Sequence, residues 1–342
     1  MAASMRDVAR LAGVSIKTVS NVVNDYPFVR DETRSRVRAA LEALDYRPNM
    51  SARGLRTGRT DLIALAIPAL DEPYFAELAS LIVEAAQLRG WTVLIDQTGG
   101  DRSRERMAAE GLRSNLIDGS ITSPLAMTAE DVAGLARQRP MVLLGERFTH
   151  AAADHIAVDS VSAARDATAH LIELGRRRIG FLGAQTRIGT AAMRLAGYQA
   201  ALEQAGLPLD HELIVRISPF HRIEGAAAMA TLLTVRNPPD AVFCVNDLLA
   251  LGAIRTVLAS GLRVPEDVAV IGFDDIEDGR FTSPTLSSIC PDKQEIADIS
   301  VELLARRIRG GADDPPVDVV AGHRLQVRES TAGPAATSDR PR

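Results

Sequence analysis

At 342 residues, with 46% apolar and 24% charged residues, the chain is long enough for two or three domains with sizeable cores and too apolar to be disordered. Its formal net charge of −5 conceals a division. Residues 1–60 hold eleven Lys and Arg against six Asp and Glu, or +5, and the remainder holds 28 against 38, or −10. A basic segment at one end of an acidic body suits a polyanion contacted at that end only. Cys244 and Cys290 make neither a disulfide framework nor a CxxC site, and the six histidines lack metal-ligand spacing. With no basic-then-apolar leader, and no apolar run near the roughly 18 residues of a membrane helix, a cytoplasmic protein without a membrane partner is expected.

The first 24 residues read as two short helices joined by a tight turn. Ser4 is placed to cap the first, with Asp7 three residues later in capping-box spacing. Val8 and Leu11 form its inward face, and Gly13 relieves the turn. Ser15 is placed to cap the second helix, whose Val19, Val22 and Val23 face inward and whose Ile16, Lys17, Thr18, Ser20 and Asn21 point outward. An ordinary helical hairpin would share this pattern, but a helix-turn-helix places just such a polar second helix in a DNA major groove. A third helix, about Asp31 to Asp45, carries Val37, Ala40, Leu41 and Leu44 at helical spacing. Residues 48–60 follow as a linker in free protein. Met50 to Leu55 is too short to be a stable helix alone, so it is expected to become helical only against DNA.

From Leu62 the texture becomes strand and helix in alternation. Apolar runs at Leu62–Ile67, Trp91–Ile95, Gly119–Thr122, Val142–Leu144, Ile179–Leu182, Ile214–Ile217, Ala241–Cys244 and Val268–Gly272 read as buried parallel strands. Between them lie helices predicted at Phe75–Arg89, Ser103–Leu116, Asp131–Gln138, Ser162–Leu174, Ala191–Ala205, Gly225–Leu233 and Leu248–Ser260. Helix Gln294–Arg309 and strand Arg324–Val327 close the two sheets. The prediction is an α/β chain: a helix-turn-helix headpiece, then two successive doubly wound halves. From Ala332 the tail is rich in Ala, Pro, Ser and Thr and is expected to be disordered.

Nearly the whole chain, about 1–331, resembles a LacI/GalR-type transcriptional regulator. The resemblance rests on Asp7-Val-Ala-x-x-Ala-Gly-Val-Ser-x-x-Thr-Val-Ser-x-Val-Val-Asn24, Tyr46-x-Pro-Asn49 with Leu55, Gly175-Arg-Arg-Arg-Ile179 and Arg194-Leu-Ala-Gly-Tyr198. It continues through Asn246-Asp247, Val264-Pro-Glu-Asp-Val268, Gly272-Phe-Asp-Asp275 and Arg328-Glu-Ser-Thr331. Each motif is weak alone; their order and spacing are specific. The resemblance implies a headpiece (1–47), a hinge (48–60) and a periplasmic-binding-protein-like core (61–331). That core has one subdomain of about 61–160 with 292–322, and another of about 161–290 with 323–331. It also implies a small ligand in the cleft and a homodimer on a near-palindromic operator. Some residues depart from the family pattern. Arg176 replaces a frequent His, and Arg30 replaces the Ser cap of the third helix, which leaves Asp31 to take over. Cys290-Pro291-Asp292 replaces a usual Gln and Pro, and no leucine-heptad tail follows Thr331.

Base readers are expected at the start of the second helix. Lys17 donates to guanine O6 and N7, Asn21 pairs with adenine or bonds elsewhere, and Ile16 meets a thymine methyl. The resemblance assigns phosphate contacts to Ser4, Ser15, Thr18, Ser20, Asn24 and Tyr46. It assigns the minor-groove hinge to Ala52 and Leu55, with Leu55 as the wedge. It assigns effector contacts to Tyr74, Phe75, Glu146, Arg194, Phe220, Asn246 and Asp274, with Asp275 structural. A fork of Arg N–H groups, an amide, carboxylates and an aromatic wall suit a sugar or polyol; the alternative is a nucleoside or purine co-repressor. No Walker loop, no GxGxxG after a strand and no GxSxG is present, so neither an enzyme nor a cofactor is expected. A solute-binding protein would share the core but not the basic headpiece.

Overall fold

The computed structural model describes residues 3–23, 26–46, 59–111, 116–148, 152–184, 189–310 and 314–333. The chain divides into two compact units, residues 1–61 and 62–342.

In the first unit, α1 (Met5–Ala12) begins with a complete capping box. The Ser4 hydroxyl accepts the Asp7 N–H at 3.4 Å, and the Asp7 carboxylate accepts the Ser4 N–H at 3.0 Å. Gly13, at φ 63°, ends the helix in the left-handed region that favours glycine. Ser15 accepts the Thr18 N–H at 3.1 Å and so starts α2 (Ile16–Val23). With α3 (Asp31–Ala43), these helices enclose Val8, Ala9, Ala12, Val19, Val22, Val37 and Ala40. Three expectations need correction. Leu11 is exposed, because the inward stripe of α1 runs through Val8, Ala9 and Ala12 and leaves it on the flank. Ser20 is buried, since its short side chain does not project past the neighbours that cover it. Arg30 stands at the start of α3 with no side-chain cap bond, and Asp31 is the first helical residue, not its cap. Asp31 and Glu32 instead place negative charge on the first turn, where the helix dipole favours it.

The second unit begins with β1 (Leu62–Ile67), α4 (Pro73–Gln87), β2 (Thr92–Gln97), α5 (Arg102–Ala109), β3 (Gly119–Thr122), α6 (Ala129–Ala136), β4 (Met141–Leu144) and β5 (Asp154–Val158). The chain then continues through α7 (Ser160–Glu173), β6 (Ile179–Ala184), α8 (Thr190–Gln204), β7 (Ile214–Arg216), α9 (Arg222–Leu232), β8 (Ala241–Cys244), α10 (Asp247–Ala259), β9 (Ala269–Phe273) and β10 (Ser287–Pro291). It closes with α11 (Lys293–Ile308), β11 (Asp318–Ala321), β12 (His323–Gln326) and α12 (Glu329–Ala332).

Two six-stranded sheets result, ordered β11-β5-β4-β3-β1-β2 and β12-β10-β9-β8-β6-β7. Every strand pair is parallel except β10 with β12. The chain crosses between the sheets three times, after Val158, Pro291 and Ala321, and α11 packs back on the first sheet. We call the layers around the first and second sheets the first and second lobes. The doubly wound α/β expectation holds. In the second lobe α9 and α10 approach closely through two glycines. A Cβ on Gly252 would lie 2.0 Å from the Arg222 carbonyl oxygen, and one on Gly225 would lie 2.3 Å from that of Leu249.

Three strands, β5, β10 and β11, were not among those predicted. β5 opens with Asp154 and His155, both buried because partners reach them. Arg307 grips the Asp154 carboxylate at 2.7 and 2.8 Å, and Asp318 meets His155 Nδ1 at 3.1 Å. β10 opens with Ser287 and Ser288, whose hydroxyls are hydrogen-bonded inside the core, and β11 is a half-exposed edge strand. Polar residues buried by pairing break the apolar run that marks an inner strand.

Candidate DNA-reading face and effector cleft

On the headpiece, Lys17 and Ile16 stand exposed on the first turn of α2, with Ile16 44% exposed, and Asn21 is half-buried one turn on. Ser4 and Ser15 are exposed, with their hydroxyls at the helix starts. Thr18 bonds the Ser15 hydroxyl at 2.9 Å, and half-buried Tyr46 packs against the headpiece core. Asn24, Ala52 and Leu55 lie outside the described residues.

The cleft residues come from loops at strand ends of both lobes and from the helix starts that follow them, the usual place for a ligand in an α/β fold. Arg194, on α8 and nearly buried, is the hub. Its Cζ lies 3.3 Å from the centroid of the Phe273 ring, and one terminal nitrogen donates to the Val245 carbonyl at 2.5 Å. The other approaches Asp274 Oδ1 at 3.7 Å, an ion pair with little exposure on either side. Arg194 Nε also reaches the Ser160 hydroxyl at 3.5 Å, and that hydroxyl donates at 2.8 Å to Glu146 of the first lobe. Glu146 accepts a second bond from Thr190, the first residue of α8. One first-lobe carboxylate is thus held by two second-lobe helix starts.

Asn246 starts α10. Its side-chain oxygen accepts the Leu249 N–H at 3.0 Å, and its amide nitrogen donates to the Phe220 carbonyl at 3.1 Å. This bond fixes the loop that carries Phe220. Tyr74 and Phe75, in the first turn of α4, meet edge to face at 5.3 Å. Burial pushes the Tyr74 hydroxyl upward, and the nearby Asp274 and Glu146 push the same way. Tyr74 therefore belongs to the same electrostatic neighbourhood as Arg194, although it comes from the other lobe.

Asp274 sits at φ 109°, a left-handed conformation costly for a residue with a Cβ. Burial pushes its carboxyl up to about 7, against the opposing pull of Arg194 and Lys293. Its neighbour Asp275 is gripped by Arg280 at 3.0 Å and Arg328 at 2.5 Å and takes the Ser288 hydroxyl on its N–H, in keeping with a structural role. Five further residues, Asp247, Lys293, Glu77, Glu72 and His221, were not anticipated. Asp247 is buried, held by Ser288 and the Ile276 N–H, and pushed well above the carboxylate range by burial. Lys293 ties the Asp274 loop to Glu77 of the first lobe. Burial raises the Glu72 carboxyl, and His221 of the second lobe draws it back. The Asn246-Asp247 pair was the available signal for Asp247. Lys293 stands three residues beyond the departure at Cys290, where nothing in the local pattern marks it. Among the described residues no cluster of three His, Cys, Asp or Glu could hold a metal, and no helix is long and apolar enough to cross a membrane.

Residues 4–49 match "Bacterial regulatory proteins, lacI family", and residues 168–331 match "Periplasmic binding protein-like domain". The chain is 36% identical to a ribose operon repressor of Haemophilus influenzae, over 90% of this chain and 92% of that one. It is 34% identical to the transcriptional repressor PurR of the same species, over 90% and 91%. Among solved structures, a LacI-family regulator of Sanguibacter keddieii shares 43% identity at a TM-score of 0.75, covering 81% of this chain and all of that one. The lac repressor dimer bound to operator and an anti-inducer shares 26% at a TM-score of 0.85, covering 97% and 99%. This chain belongs to the lacI family of bacterial transcriptional repressors, with a helix-turn-helix headpiece followed by a periplasmic-binding-protein-like body.

Proposed function

We propose that this repressor works as a cytoplasmic homodimer that grips a near-palindromic operator and is switched by a small molecule held in the cleft, most simply a sugar or polyol. The observation that carries the cleft assignment is the continuous polar chain Glu146–Ser160–Arg194–Asp274, which runs from one lobe to the other beside Tyr74. A ligand with vicinal hydroxyls would meet carboxylate acceptors, guanidinium donors and an aromatic wall. It would alter DNA affinity by preferring one lobe arrangement over another. The ribose operon relative favours a carbohydrate. A purine or nucleoside co-repressor is the second reading, favoured by the PurR relatives and by the edge-to-face Tyr74–Phe75 pair, a surface on which a flat base could stack.

Lys17, Ile16 and Asn21 would read bases. Ser4, Ser15, Thr18, Asn24 and Tyr46 would hold phosphates, and Leu55 with Ala52 would enter the minor groove. Buried Ser20 would support α2 from within. For the dimer, Ile223 and Phe281 in the second lobe are 79% and 81% exposed, which a partner surface would relieve. The test is a thermal-shift screen against sugars, polyols, nucleosides and purines, followed by binding to an operator selected from a randomised DNA pool. A stabilising ligand that changes operator affinity supports the reading. Operator binding that survives deletion of residues 1–59 overturns it.

A further inference from the structure

Lys293 and Glu77 lie outside the set of residues just assigned, yet they join both lobes at the wall of the cleft. Lys293 is the first residue of α11, which packs on the first sheet, and its side chain is only 10% exposed. Its ammonium donates to the carbonyl of Asp274 at 2.9 Å and to that of Asp275 at 3.3 Å, both on the second-lobe loop after β9. Its remaining bond goes to the carboxylate of Glu77 on α4. The other Glu77 oxygen accepts the N–H of Glu277, on that same second-lobe loop, at 3.3 Å. An ammonium has three protons, and here each has an acceptor. Two first-lobe side chains therefore clasp three second-lobe residues, Asp274, Asp275 and Glu277, and the first of these carries the carboxyl proposed to meet the effector.

We propose that Lys293 is the positioning residue of Asp274 and, with Glu77, a latch that holds the lobes together when no effector is bound. Asp274 and Asp275 lie at φ 109° and 47°, conformations that persist only when their surroundings enforce them. Lys293 enforces them by holding both carbonyls, and Glu77 supplies the charge that keeps the ammonium there. A ligand that pulls on the Asp274 carboxyl pulls on the same peptide that Lys293 holds. Occupancy of the cleft and closure of the lobes are coupled through that one peptide. The coupling to a ligand rests on the effector reading above, whereas the latch itself does not.

The test uses the full-length, ligand-free protein and reads amide exchange over residues 274–277 together with small-angle scattering. Lys293→Met should raise exchange at Glu277 and its neighbours about tenfold and open the scattering profile, while the headpiece amides stay unchanged. Glu77→Gln keeps an acceptor for the Glu277 N–H but loses the charge, and should give a smaller rise. Lys293→Arg, which keeps the charge and adds donors, should stay close to wild type, so a poorly folded Lys293→Met leaves two informative variants. A rise in Lys293→Met that adds fully to that of Glu77→Gln in the double variant would overturn the pairing. Wild-type exchange and scattering in both single variants would overturn the latch. Neither readout involves DNA or effector, so failure of the latch and failure of the effector reading are distinguishable.

Discussion

The two functional regions of this protein are built on opposite terms. On α2 of the headpiece, Lys17 and Ile16 project into solvent. In the cleft, Glu146, Arg194 and Asn246 are almost entirely buried, and their polar atoms are already bonded to neighbouring side chains or to the backbone. A surface proposed to read DNA keeps Lys17 and Ile16 free. A cleft that must change shape with its ligand weaves its contacts into the fold. Substitution should therefore separate function from stability in the first region and entangle them in the second.

The largest expected effect lies in the body. Asp154→Ala strips the buried Arg307 of its carboxylate and should cost about 3–5 kcal/mol in chemical unfolding of the body. Asp274→Asn preserves shape but exchanges a charged acceptor for a half-donor. It should weaken effector binding by about 2–4 kcal/mol in calorimetric titration, with ligand-free operator affinity nearly unchanged. Lys17→Ala should cost about 1–3 kcal/mol for each base it no longer reads and relax operator preference, with no change in melting temperature; selectivity that survives would make Lys17 a phosphate contact. Two +5 headpieces that each neutralise about four phosphates should give a log–log salt slope near −7. A flat salt response would contradict the DNA reading that rests on this charge division.

The smallest effect is a pH dependence. Burial raises the folded pKa of Asp274 above its unfolded value of 3.8, to about 7, so the folded state holds this proton more tightly. Its contribution to stability is full below about 4 and is lost as pH climbs through about 7. Ligand binding that needs the ionised acceptor runs the other way. Effector affinity should climb up to about tenfold between pH 6 and 8, and Asp274→Asn should flatten that rise.

How much of this was legible in the sequence follows the same division. The headpiece declared itself through local rules. The Ser4–Asp7 box, Gly13 at the turn and Ser15 at the second helix each need only a few neighbouring residues, and each is present. Ser20 misled because a short hydroxyl side chain reads as surface, whereas its position under the helix packing buries it. The body's alternation of strands and helices was equally plain where strands were apolar throughout. β5 and β10 were hidden because their buried Asp154, His155, Ser287 and Ser288 are tolerated only through partners tens to hundreds of residues away. Lys293 was invisible for the same reason: its partners, Glu77 and the Asp274 carbonyl, are adjacent only after the chain has crossed between the lobes. Periodicity reports the neighbours along the chain, not the acceptor that a buried charge will find.

The proposal is that a ligand in the cleft governs DNA binding through Asp274, with the headpiece reading DNA independently of that residue. The most direct measurement is an operator-binding titration of wild type and Asp274→Asn side by side, with and without the ligand found by thermal shift. Ligand should shift operator affinity of the wild type at least tenfold, or about 1.4 kcal/mol. The variant should bind operator within about threefold of wild type without ligand and should not respond when ligand is added. A variant that responds as the wild type does, or one that has lost operator binding altogether, would contradict it.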